Sequence, residues 1–435
     1  MVNLVAEKDY WRVPAVISMP WGSDAQLVRR RNGLLLIRKE SLLITSVNVV
    51  EDDESLTKIG ETSSVFAGGW QIADYGNYFL LTNGVRTLLY SDLDVEEDPS
   101  LTTVRTFGAI ADFDARLIYG NWTGHTNWVG WSMIAGEDIP AILASSSLSI
   151  KQKAKKQAGI APMPFPGEIL AIKRIGAADF VVYGDQGIAA LRPTGGGYGV
   201  HEILGLPTGV GISTRSAVDG TLDLHVFLGP EQELWTIQPD LTATRIGFKS
   251  RILSPVTVVH DPSVDQFWIS STYDDKPYSY VLNKYGLSGY MTQTPTSLAY
   301  LNQALVGTGF TFDDVEAIPI ELVSGLLDMK SNGQKRVTVV NISSNNIDSL
   351  TAQLLFGYNT ELSPDMAEMA RSGPVVRCSP DGAAFLNIAM NLGVLRVRGV
   401  STSAFSRLVR IEVRYQNHDK RFVRGTRGFI PENNT

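Results

Sequence analysis

Apolar and polar positions alternate along this chain in short runs. Stretches rich in Val, Ile, Leu, Phe, Tyr and Trp are separated by Gly, Asp and Asn at hairpin spacing, which predicts short β-strands joined by tight turns. Helical periodicity is confined to two brief candidates, Ser146–Ala158 and Ser363–Ser372.

Five central segments share one grammar: Gly68–Tyr90, Ile110–Ser132, Ile169–Pro193, Ser216–Gln238 and Val256–Asn283. In each, a small polar turn precedes an apolar strand, and a second turn precedes another. Taking the strand centres as Phe79, Leu117, Val181, Val226 and Trp268, the intervals are 38, 64, 45 and 42 residues. Three of these match the period of a propeller blade, and the long one holds the basic segment Lys151–Lys156 as an insertion. Gly33–Val50 and Ser297–Thr311 supply further hairpin material. The expected fold is all-β: a β-propeller of five or six blades. A series of β-sandwiches is the other reading of the same spacing.

After Asp313 the texture changes. Seven strand candidates follow: Ala317–Val323, Arg336–Ile342, Gln353–Tyr358, Pro374–Cys378, Ala384–Ala389, Val394–Val400 and Leu408–Tyr415. Their alternation predicts an additional C-terminal β-sandwich-like domain. Val337, Val339 and Asn341 are expected opposite Thr338, Val340 and Ile342. Val409, Ile411 and Val413 are expected inward, with Arg410, Glu412 and Arg414 outward. The domains are expected at 1–60 (an N-terminal β segment), 61–313 (propeller) and 314–435 (sandwich).

Composition narrows the function classes. The chain has 435 residues, of which only 19% are charged, with 40 Gly, 20 Pro and a single cysteine. Intrinsic disorder and a disulfide framework are excluded. No apolar run approaches the length of a membrane span, and no secretion signal is read at the start, so synthesis in a host cytoplasm is expected. The net charge of −7 argues against a surface that grips nucleic acid throughout.

The charge is sorted along the chain. Acidic residues cluster at Glu51, Asp52, Asp53 and Glu54, and again at Asp92, Asp94, Glu96, Glu97 and Asp98. Basic residues gather near the end: Arg396, Arg398, Arg407, Arg410, Arg414, Lys420, Arg421, Arg424 and Arg427. The second group reads either as a solvated strand face or as a docking surface for an acidic partner.

Little else suggests catalysis. The histidines lack metal-ligand spacing, and His225 inside LHVF reads as a satisfied core residue. Cys378 reads as an inert buried thiol. The TGGGYG run at Thr194–Gly199 lacks a following helix and reads as a hairpin loop. Asp74, Asp112, Asp114, Asp185, Asp219 and Asp261 recur at similar positions, as repeat punctuation rather than an acid–base pair. Trp131 is expected in a blade and Trp122 on a loop. No catalytic residue, metal or cofactor is expected.

Several stretches together resemble the nozzle, or tail-hub, proteins of short-tailed bacteriophages: Trp70–Gly84, Arg116–Trp122 with Val129–Ser132, Phe180–Leu191, His225–Ile237 and Ser406–Tyr415. The resemblance is one of texture and order over most of residues 65–420. It implies a structural virion protein without enzymatic activity. Such a protein forms a homo-oligomeric ring, a hexamer, at the end of the tail channel. It meets a portal adaptor and tail fibres or spikes, and passes double-stranded DNA during ejection. Acidic loops lining a lumen would let the duplex slide, and the basic C-terminal group would dock on an acidic adaptor. A β-propeller glycan-binding protein or glycoside hydrolase is the alternative, with Asp114 and Asp185 as its residues to test. A propeller scaffold of a cellular complex is a third reading.

Overall fold

The computed structural model describes residues 5–6, 11–12, 17–18, 25–30, 33–41, 44–51, 55–62, 69–75, 78–91, 106–113, 116–132, 159–194, 201–231, 233–249, 257–261, 264–273, 276–284, 286–291, 295, 297–301, 304–308, 318–323, 335–357, 371–390, 392–401, 407–417 and 424–429. No helix occurs among them. The candidate helix at 146–158 lies outside the described residues, and Arg371–Ser372, at the end of the other, is a strand.

The chain opens with three two-residue strands, β1 (Val5–Ala6), β2 (Trp11–Arg12) and β3 (Ile17–Ser18). Antiparallel sheets then come one after another. Blade 1 is β4 (Ala25–Arg30), β5 (Gly33–Lys39), β6 (Thr45–Val50) and β7 (Leu56–Thr62). Blade 2 is β8 (Gln71–Tyr75), β9 (Tyr78–Thr82) and β10 (Thr87–Ser91). Blade 3 is β11 (Ala109–Phe113), β12 (Arg116–Trp122), β13 (His125–Trp131) and β14 (Gly159–Pro162). Blade 4 is β15 (Ile169–Ile175), β16 (Asp179–Gly184), β17 (Ile188–Pro193) and β18 (His201–Gly205). Blade 5 is β19 (Val218–Gly220), β20 (His225–Leu228), β21 (Glu233–Ile237) and β22 (Ala243–Lys249). Blade 6 is β23 (Thr257–Asp261), β24 (Gln266–Tyr273), β25 (Lys276–Asn283) and β26 (Gly286–Met291). Blade 7 pairs β27 (Ser297–Leu301) with β28 (Ala304–Thr308), and β3 adds to β28 in parallel.

The first strand of each sheet neighbours the first strand of the next, and β27 neighbours β4. The fold is therefore a β-propeller closed on itself, with seven sheets among the described residues where five or six blades were expected. Self-similarity exposes only the five central units. The first blade and the composite last one, built from both ends of the propeller sequence, carry no repeat signature.

Blade packing explains why the strands read as unbroken apolar runs. In β16, Phe180 and Val182 pack with blade 3, while Val181 and Tyr183 pack with blade 5. In β5, Leu34 and Leu36 join a core with blade 7, while Leu35 and Ile37 join one with blade 2. A strand buried on both faces has no polar side to show. Trp122 belongs to this core too: it lies in β12 and is 4% exposed, not on a loop.

The second architecture is a sandwich. Its strands are β29 (Ile318–Val323), β30 (Lys335–Asn345), β31 (Ile347–Gly357), β32 (Arg371–Ser372), β33 (Val376–Arg377), β34 (Ala383–Met390), β35 (Leu392–Ser401), β36 (Arg407–Asn417) and β37 (Arg424–Phe429). One sheet runs β1–β2–β36–β30–β34, with β37 also on β36; the other runs β29–β35–β31–β32, with β33 also on β31. Their inner faces share one core, including Val337, Val340, Leu354, Leu395 and Ile411. Contacts divide the chain into two compact units, 17–278 with 294–311, and 1–16 with 279–293 and 312–435.

Two β-bulges correct the expected alternation. The register of β30 slips between Val337 and Val339, so Val337, Val340 and Ile342 all face the core. A second slip lies opposite Val409, which stays 42% exposed while its neighbour Leu408 is buried. A bulge inserts an extra residue and reverses the facing of the residues beyond it. Ile411 and Val413 face inward, as the pattern predicts.

Candidate functional site: the propeller axis

An innermost blade strand turns its free edge toward the axis, and the backbone groups there need partners. Side chains from the inner strands supply several, each reaching across to another blade. Gln26 Oε1 accepts from the N–H groups of Gly69 (3.1 Å) and Trp70 (2.8 Å), and its amide nitrogen donates to the Trp70 carbonyl (3.0 Å). Gln71 accepts from Ile110 N–H in blade 3 (3.1 Å) and donates to the Leu170 carbonyl in blade 4 (2.8 Å). Asp219 accepts from Lys173 Nζ in blade 4 (2.8 Å) and from His260 N–H in blade 6 (2.8 Å).

Blade 7 is tied to blade 1 in the same manner. Ser297 Oγ accepts from Leu27 N–H (2.7 Å), and Thr308 Oγ1 donates to the Ala25 carbonyl (2.9 Å). The Thr308 proton is thereby used, so Ser297 is the donor in the 2.6 Å contact between the two hydroxyls.

These strands enclose a cavity of about 620 Å³. Its charged lining is Arg29, Lys173, Arg174 and Arg215 against Asp112 and Asp219. Burial pushes the Asp219 carboxyl up, but Lys173 and the His260 and Gly220 N–H groups outweigh it, and the net shift is downward. Arg215 precedes β19, and its stem lies against Gly69 of blade 2. A β-carbon at Gly84, in the Asn83–Gly84 turn of the same blade, would overlap the Arg215 guanidinium, and its φ of +81° is one that glycine adopts freely. Arg215 thus reaches from blade 5 to blade 2 at one end of the cavity. Burial lowers its pKa, partly opposed by the charge of Glu168.

Beside the axis, His225 is fully buried between two partners. Its Nε2 faces the Arg174 carbonyl (2.8 Å) and its Nδ1 faces the Tyr183 hydroxyl (2.8 Å). A carbonyl only accepts, so Nε2 carries the proton and Nδ1 receives the Tyr183 hydrogen. Burial brings the His225 pKa down to about 4. His201 is likewise lowered to about 4, by burial and then by the charge of Arg116.

The carboxylates that recur along the sequence sit on the inner strands of four blades: Asp74 on β8, Asp112 on β11, Asp219 on β19 and Asp261 on β23. Asp185 accepts from Glu168 N–H (2.8 Å) and braces a turn; Asp114 lies outside the described residues. Among the described residues, no group of three or more His, Cys, Asp or Glu side chains could hold a metal.

Of the acidic clusters named from sequence, Glu51 alone falls among the described residues. Glu51 is exposed in the turn from β6 to β7, where its N–H donates to Ser55 O (3.0 Å). Asp52, Asp53, Glu54, Asp92, Asp94, Glu96, Glu97 and Asp98 lie outside the described residues. The basic group divides. Arg396 and Arg398 on β35 both pair with Glu321 on β29, at 3.1 and 3.0 Å. Arg407, Arg410 and Arg414 are exposed along β36, Arg410 pairing with Glu412. Arg424 and Arg427 lie on β37, and Lys420 and Arg421 lie outside the described residues. Sequence reasoning missed Gln26, Gln71, Lys173 and Arg215. For the first three the available signal was a polar residue within an otherwise apolar first strand of a blade; Arg215, in the turn before β19, carried none.

No known family model matches the chain, and no curated protein matches it. Solved structures that it resembles include the β-propeller domain of Cps50 (Swd1) from Myceliophthora thermophila, at 9% identity and a TM-score of 0.41 over 64% of this chain and 91% of that one. Hsv2 of Kluyveromyces lactis is similar at 8% identity and a TM-score of 0.40, over 70% and 92%. A quinoprotein alcohol dehydrogenase-like protein of Bacteroides thetaiotaomicron is similar at 10% identity and a TM-score of 0.36. The match covers 61% of this chain and 64% of the length of that protein.

Proposed function

We propose that this chain is a structural subunit of a short bacteriophage tail, a nozzle or hub that assembles rather than catalyses. The observation that carries the reading is the outer face of β36. Arg407, Arg410 and Arg414 stand exposed on this strand while Leu408, Ile411 and Val413 hold it to the sandwich core. A rigid strand carrying guanidiniums suits docking to an acidic protein surface, because Arg forms planar, bidentate pairs with carboxylates. The propeller adds a second rigid body whose axial polar groups are largely committed to bonds between blades.

In this reading the copies form a ring, the arginine stripe meets an acidic adaptor, and acidic segments at 51–54 and 92–98 face the passing duplex. Electron microscopy of purified virions, with protein identification of the tail, tests it. A ring at the distal tail containing this chain is the expected result. A strictly monomeric protein absent from purified virions overturns it.

A further inference from the structure

The polar groups on the propeller axis can be sorted by whether a neighbour uses them. Gln26, Gln71, Lys173, Asp219 and Ser297 are engaged across blades. Arg215 is left over. Its Nη1 is buried and has no hydrogen-bond partner among the described residues. Glu168, the opposite charge that acts on it, already accepts from the Asn121 amide at 3.1 Å. A second donor on the same cavity, the indole N–H of Trp70, is also buried without a partner. Trp70 is 3% exposed, so bulk water does not satisfy that group.

The surroundings favour an anion. The wall carries four cationic side chains, Arg29, Lys173, Arg174 and Arg215, against the two carboxylates of Asp112 and Asp219. Gly69 and Gly84, without side chains, leave the space against blade 2 that the Arg215 side chain fills. The cavity, at about 620 Å³, has the size of a small-molecule site. We propose that the Arg215 end of the axial cavity binds a small ligand through an oxyanion, a carboxylate or a phosphate. The guanidinium fork fits either group with paired N–H bonds. This site does not depend on the virion reading.

The test is the thermal midpoint of the full chain in about 10 mM inorganic phosphate or about 10 mM succinate, each against a sodium chloride control brought to the same ionic strength, where binding to the folded state raises the midpoint. One of the two probes is expected to raise it above the chloride control, and which one does so separates phosphate from carboxylate chemistry. Arg215→Gln is expected to abolish the rise, and Arg215→Lys to weaken apparent affinity about tenfold or more, because a point charge replaces the fork. No rise with either probe, or an equal rise in Arg215→Gln, overturns the site. Should that variant fail to fold, arginine modification by phenylglyoxal in the wild-type chain replaces it. The effective probe is then expected to protect Arg215, and unchanged labelling overturns the site.

Discussion

The propeller and the sandwich bury their apolar surface in different ways. The sandwich gathers the inner faces of two sheets around one core, and its strands keep a polar outer side, as Arg410, Glu412 and Arg414 do on β36. The propeller has separate cores at the junctions from blade 7 to blade 1 and on through blade 5, and a strand such as β16 feeds two of them. Apolar contact in the propeller is therefore nearest-neighbour, while polar side chains such as Gln71 reach past the adjacent blade. Packing alone makes a row of blades; the axial hydrogen bonds and the β27–β4 junction make it a ring.

Substitutions can break this contrast at several points. Phe180→Ala empties a fully buried site between blades 3 and 4 and is expected to cost about 3–5 kcal/mol in urea denaturation followed by tryptophan fluorescence. A loss under about 1 kcal/mol would mean that blade junctions do not carry the stability.

Acid comes next. The buried His225 and the half-buried His201 have folded pKa values of about 4, below the ordinary 6.5. Their unfolded forms take up protons below 6.5 that the folded propeller refuses until about pH 4. Stability is then complete above pH 6.5 and falls as pH drops through about 4. The His225 share is on the order of 3 kcal/mol. Denaturation at a series of pH values should show a shallower acid loss in His225→Gln than in wild type, and an unchanged slope would remove His225 as a cause.

Gln71→Ala leaves the Ile110 N–H and the Leu170 carbonyl without their partner and is expected to cost about 1–3 kcal/mol. A neutral outcome in thermal melts would argue that the axial bonds are incidental. The smallest effect belongs to the sandwich: Val409→Ser, on the exposed bulge, should stay within about 0.5 kcal/mol. A core-sized loss there would show that the strand keeps the regular register.

Much of the fold was legible because burial writes itself into composition. Strands buried on both faces give runs such as FVVY at 180–183, and the five repeats fall on blades 2 to 6. The sandwich strands were legible from alternation. The bulges at 338 and 409 were not, because a register slip leaves no mark in a sequence of alternating residues. The partners of β2 and β3 were not legible either, since two-residue strands carry no pattern. The axial site was hidden for a related reason: Arg215 is one arginine in an unremarkable turn, and its significance comes from Gly69 and Gly84, far away in sequence.

The last blade has a consequence for how the chain comes into being. β3 must find β28, and the bond from Thr308 to Ala25 spans 283 positions. For a flexible chain, closing a loop of that length costs roughly 5 kcal/mol of entropy. Blades 1 to 6 can form one at a time behind the ribosome, but Ile17 and Ser18 wait with an open strand edge until residue 308 has been made. During that interval the unfinished ring exposes two unpaired ends. Either can meet the complementary end of another nascent copy, so the timing of synthesis, as much as the finished contacts, decides whether each propeller closes on itself.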